Sequence, residues 1–281
     1  MEQKTHQNQK PILYIIATPI GNLEEVSNRT KSVLNATDII ACEDTRQTSK
    51  LLAYLGIKKR LISCHEHNEK ESSQAIISLI KEGKNVSYVS DAGYPLISDP
   101  GKILIDECLK NNINVSVVSG PSAFIDALCV SNLPTNHFYF HGFLDAKISK
   151  AKKELEELKD KKETLIFYVS VHKLREQINL FYEVFGNRKI CLARELTKMY
   201  EHIIRIDLED LIKYPLETLK GEFVFICEGN TEQIKYTDEF VLKNLKELIS
   251  KNKSKKDAVK EVSTKYNLKK NYVYNLLNKI S

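Results

Sequence analysis

Short runs rich in Ile, Val and Leu recur through the first half of the chain, at residues 12–18, 38–42, 60–64, 85–90 and 114–119. Each is too short for a stable helix and rich in branched side chains, so each predicts a strand. Between most of them the apolar spacing changes to three or four, at residues 30–34, 48–55, 72–81 and 100–111, which predicts helices. Strand and helix in alternation predict an open, mostly parallel α/β sheet. After Leu133-Pro134-Thr135-Asn136 the texture changes. The charged stretch 149–162 carries an apolar stripe at Leu155 and Leu158, as a surface helix does. Residues 164–169, 188–193, 202–206 and 222–227 then predict strands with fewer helices between them, a second α+β domain. The chain ends in three predicted helices, 240–249, 254–266 and 269–280, with Asn267-Leu268 as the last turn. The expected domains are 1–134, 135–236 and 237–281.

Four strand ends run into loops of unusual composition: Thr18-Pro19-Ile20-Gly21-Asn22-Leu23, Cys42-Glu43-Asp44-Thr45-Arg46, residues 90–101, and Ser119-Gly120-Pro121-Ser122-Ala123. In the third, Gly93 is free to take a positive φ and leaves room for a ligand, while Pro95 and Pro100 stiffen the path. One such loop is an ordinary turn. Four of them at the carboxyl ends of strands gather where α/β sheets bind ligands.

The net charge of +5 over 281 residues hides an asymmetry. Residues 241–281 hold eleven Lys against Glu247, Asp257 and Glu261, or +8, which leaves −3 for the rest. A basic segment this concentrated points to polyanions, nucleic acid first. The last two predicted helices carry Lys255, Lys256, Lys260, Lys265, Lys269 and Lys270 and resemble a helix-turn-helix. A plain helical cap with lysines for solubility has the same pattern. The polar first dozen residues lack a signal-peptide core, and no apolar run approaches the length of a membrane span, so a cytoplasmic protein is expected. The six cysteines form no C-x-x-C pair, which argues against zinc and against a disulfide framework.

Neither G-x-G-x-x-G nor G-x-x-x-x-G-K-[ST] is present, so a standard dinucleotide site and an NTPase are unsupported. The densest titratable cluster is Cys64-His65-Glu66-His67-Asn68-Glu69. Continued as a strand, it would put His65 and His67 on one face. Metal ligation would need a third ligand and a fixed outer shell that the sequence does not show, so no metal is expected, and gripping substrate or moving a proton fits better. Residues 194–201, with two cations, two carboxylates and Tyr200, suit RNA contact.

Together with Leu13-Tyr14-Ile15-Ile16-Ala17, Gly142-Phe143-Leu144 and residues 192–200, these loops and clusters resemble the ribosomal RNA small subunit methyltransferase I family, nearly end to end and in the right order. The resemblance implies two α/β domains of the tetrapyrrole methylase, or class III methyltransferase, type with a small basic helical tail. It implies methylation of the ribose 2′-oxygen of a cytidine in the decoding centre of 16S rRNA, with S-adenosyl-L-methionine as cofactor and a homodimer acting on 16S rRNA or the small ribosomal subunit. On this resemblance, Asp91, Ala92, Gly93, Leu96, Ile97, Pro121 and Ser122 line the cofactor site, with Pro19 and Gly21 at its floor. His65 or His67, then Asp44, are candidates for proton removal, with Lys198 and Arg46 on phosphate. Arg194, Lys255, Lys256, Lys269 and Lys270 complete the expected RNA contacts. The chain departs from the family at Val169, where Glu is usual after Phe-Tyr, at Tyr94 in place of Thr, and at Asp145 in place of Pro. Two other readings differ in what they leave idle. A small-molecule methylase of corrin type has no use for the basic tail, and a non-catalytic nucleic-acid regulator has none for four ligand loops.

Overall fold

The computed structural model describes all residues except 1, 8–9, 232–235, 252, 267 and 279–281. The chain divides into two compact units, Met1–Asn230 and Thr231–Ser281. In the first unit, strands β1 (Ile12–Ile16), β2 (Ile39–Cys42), β3 (Arg60–Ser63), β4 (Val86–Val89) and β5 (Asn114–Val118) alternate with helices α1 (Asn28–Ala36), α2 (Thr45–Leu55), α3 (Glu69–Lys81) and α4 (Lys102–Lys110). The strands form one sheet in the order β3-β2-β4-β1-β5, every pair parallel. β2 and β4 are buried along their whole length because helices cover both faces. Ile15, Ala41 and Tyr88 pack on Ile76 of α3 and Leu104 of α4, while Ile16, Ile40 and Val89 pack on Leu34 of α1 and Leu52 of α2. Helix ends are set locally. Ser27 caps α1 by accepting from the Thr30 amide, and Gly56, at φ +70°, ends α2 while the Ile57 amide reaches back to the Leu52 carbonyl.

Helix α5 (Ala123–Val130) leads to the second sheet, built from β6 (Phe138–Phe143), β7 (Thr164–Ser170), β8 (Lys189–Arg194), β9 (His202–Asp207) and β10 (Glu222–Cys227). Its order is β6-β7-β10-β8-β9, with β6 and β7 parallel and the rest antiparallel. Helices α6 (Ile148–Leu158), α7 (Leu174–Phe185) and α8 (Leu208–Leu211) cover one face through Leu155, Phe181 and Leu208 on Phe167, Leu192 and Phe225. Ala127 and Leu128 of α5 lie on the other, against Ile166, Ala193 and Val224. β6, α7 and the short α8 are additions to the elements expected from the sequence.

The second unit is three helices, α9 (Asp238–Ser250), α10 (Lys255–Lys265) and α11 (Lys270–Asn278), closed around Val241, Leu245, Ala258, Val262, Val273 and Leu276. Thr237 and Ser254 cap the first two. The expected turn residue Asn267 and the expected end of the last helix at residues 279–280 lie outside the described residues.

Candidate active site

The loop after β4 is held in a shape that most sequences avoid. Gly93, Leu96, Ser98 and Gly101 have φ of +72°, +73°, +66° and +131°. For Leu96 and Ser98 this costs about 1–2 kcal/mol each, so the surroundings must enforce it. Thr18 and Gly93 exchange two backbone hydrogen bonds of 2.9 Å, which ties the first loop to the third. At the far end the Tyr88 hydroxyl donates to the Pro100 carbonyl at 3.0 Å. Glu69, 7% exposed, accepts through Oε1 from the amides of Gly101, Ile103 and Leu104 at 3.0, 2.7 and 3.3 Å. One buried carboxylate thus caps α4 and anchors the loop.

This loop and the start of α5 face the second sheet across a cavity of about 540 Å3. Ile20, Gly93, Ile97, Asp99 and Ser122 line it from one side, and Phe143, Tyr168, Val169, Leu196 and Phe223 from the other. Its volume is that of a small-molecule site. Its charged lining is acidic: Glu43, Asp91, Asp99 and Glu222 contribute carboxylates, and among the described residues no Lys or Arg lines it. Glu222 is paired at 2.7 Å with Lys198, which Glu195 shares. The other three are raised from their ordinary values. Burial and the neighbouring Glu43 carry Asp99 to about 7. Burial, then Asp91, raises Glu43, and burial raises Asp91. Such a cavity attracts a cation. Among the described residues, no group of three His, Cys, Asp or Glu is placed to hold a metal ion.

Of the residues expected at the cofactor, Asp91, Ala92, Gly93, Ile97 and Ser122 line the cavity. Pro19, Gly21, Leu96 and Pro121 stand outside the lining. Gly21 instead lets the first loop meet residues 197–198, where a Cβ would fall 2.5 Å from Cγ of Lys198. Leu96 packs under the loop against the core, and the Pro121 carbonyl lies behind Gly93.

The four expected catalytic side chains also stand outside the lining. β3 stops at Ser63, and His65 to Asn68 form a turn in which the Asn68 side chain accepts from the His65 amide at 2.8 Å. The shared strand face expected for His65 and His67 is therefore replaced by an edge-on ring contact at 5.9 Å. Asp44 caps α2 and grips Arg46 at 2.7 Å, and those contacts hold its carboxyl down at about 2. A carboxylate so stabilised is a poor base. Lys198 is bound by both Glu195 and Glu222, which raise its proton affinity further. Arg46 leaves 86% of its side chain open to solvent. Arg194 donates to the Lys220 carbonyl at 2.6 Å. Lys255, Lys256, Lys269 and Lys270 belong to the separate helical unit, in or beside α10 and α11.

The sequence did not single out Asp99, Tyr168, Leu196 or residues 221–224 as lining. Asp99 sits inside a loop the sequence did flag, but its raised proton affinity comes from burial and from Glu43, which is distant in the chain.

The model of the Tetrapyrrole (Corrin/Porphyrin) Methylases matches residues 12–212. Ribosomal RNA small subunit methyltransferase I of Halalkalibacterium halodurans is 40% identical over 282 residues, covering 98% of each chain. The protein of that name from Bacillus subtilis is 39% identical over 94% of this chain and 92% of its own. The chain belongs to the ribosomal RNA small subunit methyltransferase I family of tetrapyrrole methylases. Among solved structures, uroporphyrin-III-C-methyltransferase from Thermus thermophilus superposes with a TM-score of 0.57 at 17% identity, over 78% of this chain and 94% of that one. A cobalt precorrin-4 methyltransferase gives 0.56 at 14%, over 77% and 94%. These two likenesses show the fold.

Proposed function

We propose that this chain methylates the ribose 2′-oxygen of a cytidine in the decoding centre of 16S rRNA, using S-adenosyl-L-methionine. The observation that carries the reading is the 40% identity across 98% of both chains with a ribosomal RNA small subunit methyltransferase I. The cavity fits such a cofactor: its size suits a small molecule, and its acidic lining, Glu43, Asp91 and Asp99, suits a sulfonium and an ammonium. Bound there, S-adenosylmethionine would supply a methyl carbon already activated by the positive sulfur.

The protein then has three tasks. Asp91, Gly93, Ile97 and Ser122 hold the cofactor, and Gly93, without a side chain, lets it approach the backbone. Apolar Ile20, Val169 and Leu196 keep water from the reacting atoms. The ribose must be aligned behind the methyl carbon, and its hydroxyl must lose a proton; orientation alone contributes several kcal/mol, up to about 7–11 in the best cases. Asp99, with a proton affinity near neutral, is the lining group suited to accept that proton. Lysines of the helical unit hold phosphate, and the same reading carries a cytoplasmic homodimer.

The test offers tritiated S-adenosylmethionine with either small ribosomal subunits or a corrin-type acceptor. Label in the subunit RNA is expected; label in the tetrapyrrole alone would overturn the reading.

A further inference from the structure

We propose that Phe143 is the platform on which the target base stacks while its ribose is methylated, an inference that rests on the reading above. β6 pairs in register with β7 from Phe138–Thr164 to Phe140–Ile166, then skips a residue and resumes at Gly142–Phe167 and Phe143–Tyr168. His141 is the extra residue, and Gly142, at φ +83°, turns the chain through the bulge. Side chains alternate along a strand, so an unbroken β6 would send Phe143 to the side opposite Phe140, the face that α6 and α7 cover. The skipped residue reverses this. Phe143 joins Phe140 and Tyr168 on the sheet face that α5 shares, and its ring packs on Tyr168 at 5.3 Å, as Phe140 does at 5.1 Å. The bulge also abuts the ligand loop: a Cβ on Gly142 would lie 3.0 Å from Oγ of Ser98.

The result is a phenyl ring that lines the cavity and is 57% exposed. A bulge forgoes ladder hydrogen bonds, and exposing a phenyl ring forgoes burial, so stability does not account for the arrangement. A ligand does. When a ribose enters the cavity, its base is one glycosidic bond away and must lie at the entrance. An RNA base reached by an enzyme is taken out of its stack, and aromatic side chains replace the lost neighbours. Phe143 offers an open π-face there, backed by Tyr168.

The experiment measures methyl transfer to small subunits and, by titration calorimetry, S-adenosylmethionine affinity, for the wild type, Phe143→Ala, Phe143→Leu and Phe143→Trp. Phe143→Ala and Phe143→Leu are expected to lower kcat/KM for subunits about tenfold or more, the scale of one lost base stack, with cofactor affinity within about twofold of wild type. Phe143→Trp is expected to keep most of the activity. Subunits reconstituted with the target ribose intact but its base removed should cost the wild type a similar factor and cost Phe143→Ala nothing further. Unchanged kcat/KM in Phe143→Ala would overturn the proposal, as would full activity in Phe143→Leu. A parallel loss of cofactor affinity would assign the ring to the cofactor instead, and additive losses on the base-free subunit would separate ring from base. A wild type that methylates no subunit at all would instead refute the functional reading beneath it.

Discussion

Asp44 and Asp99 show how position sets the chemistry of one side chain. Asp44 has its charge satisfied by Arg46 and is held near 2, whereas Asp99 is buried beside Glu43 and rises to about 7. If Asp99 takes the ribose proton, kcat should rise with pH along a limb at or below about 7, because a bound sulfonium favours the ionised form. Asp99→Asn should lose that limb and lower kcat by about a hundredfold or more. Stability should follow the opposite trend. Because the folded carboxyl binds its proton more tightly than the unfolded one, its contribution is full below 3.8 and is lost as pH rises through about 7. Thermal melts should therefore show Asp99→Asn stabilised relative to wild type above pH 7, with the advantage vanishing near pH 4. Gly93 tests the cavity itself. Gly93→Arg fills the space between Ile20 and Pro121 from a strained φ of +72°, and calorimetry should detect no S-adenosylmethionine binding. Retained binding would remove this loop from the cofactor site.

At the scale of elements, the ligand loop depends on α3 and α4 behind it. Glu69→Ala strips three amides at the head of α4 of their acceptor, and urea unfolding should show a loss of about 1–3 kcal/mol. Cofactor affinity should fall as well, and Glu69→Gln, which keeps an acceptor oxygen, should recover most of both. This role was not legible in the sequence. The cluster His65 to Glu69 stood out because its side chains titrate, yet the structure uses Glu69 to reach a loop some thirty residues on, a contact that spacing does not reveal. The parallel sheet was legible because β1 to β5 are short, branched runs separated by helical spacing. α7 had a signal, with Leu174, Ile178, Phe181 and Phe185 at helical intervals, whereas β6 did not. Its aromatics Phe138, Tyr139 and Phe140 are consecutive, so no alternation marks a face, and no local pattern marks the bulge at His141.

Over the whole molecule, charge is divided between the two units. The basic segment, +8 over residues 241–281, folds around its own apolar core, while the first unit carries the acidic cavity. Phosphate grip and cofactor binding should therefore separate on mutation. Replacing Lys255, Lys256, Lys269 and Lys270 with Ala should weaken subunit binding and make log K against log salt shallower by about three. S-adenosylmethionine affinity should stay unchanged; an unchanged salt slope would return these lysines to a role in solubility. Methylation of a cytidine ribose by this cavity is checked by mapping the product. Small subunits lacking the modification are incubated with the protein and labelled S-adenosylmethionine, and the labelled nucleotide is located by nuclease digestion and mass spectrometry. The expected result is one 2′-O-methylcytidine in the decoding centre. Label on a base, on another nucleotide, or nowhere in RNA while the cofactor still binds would contradict it.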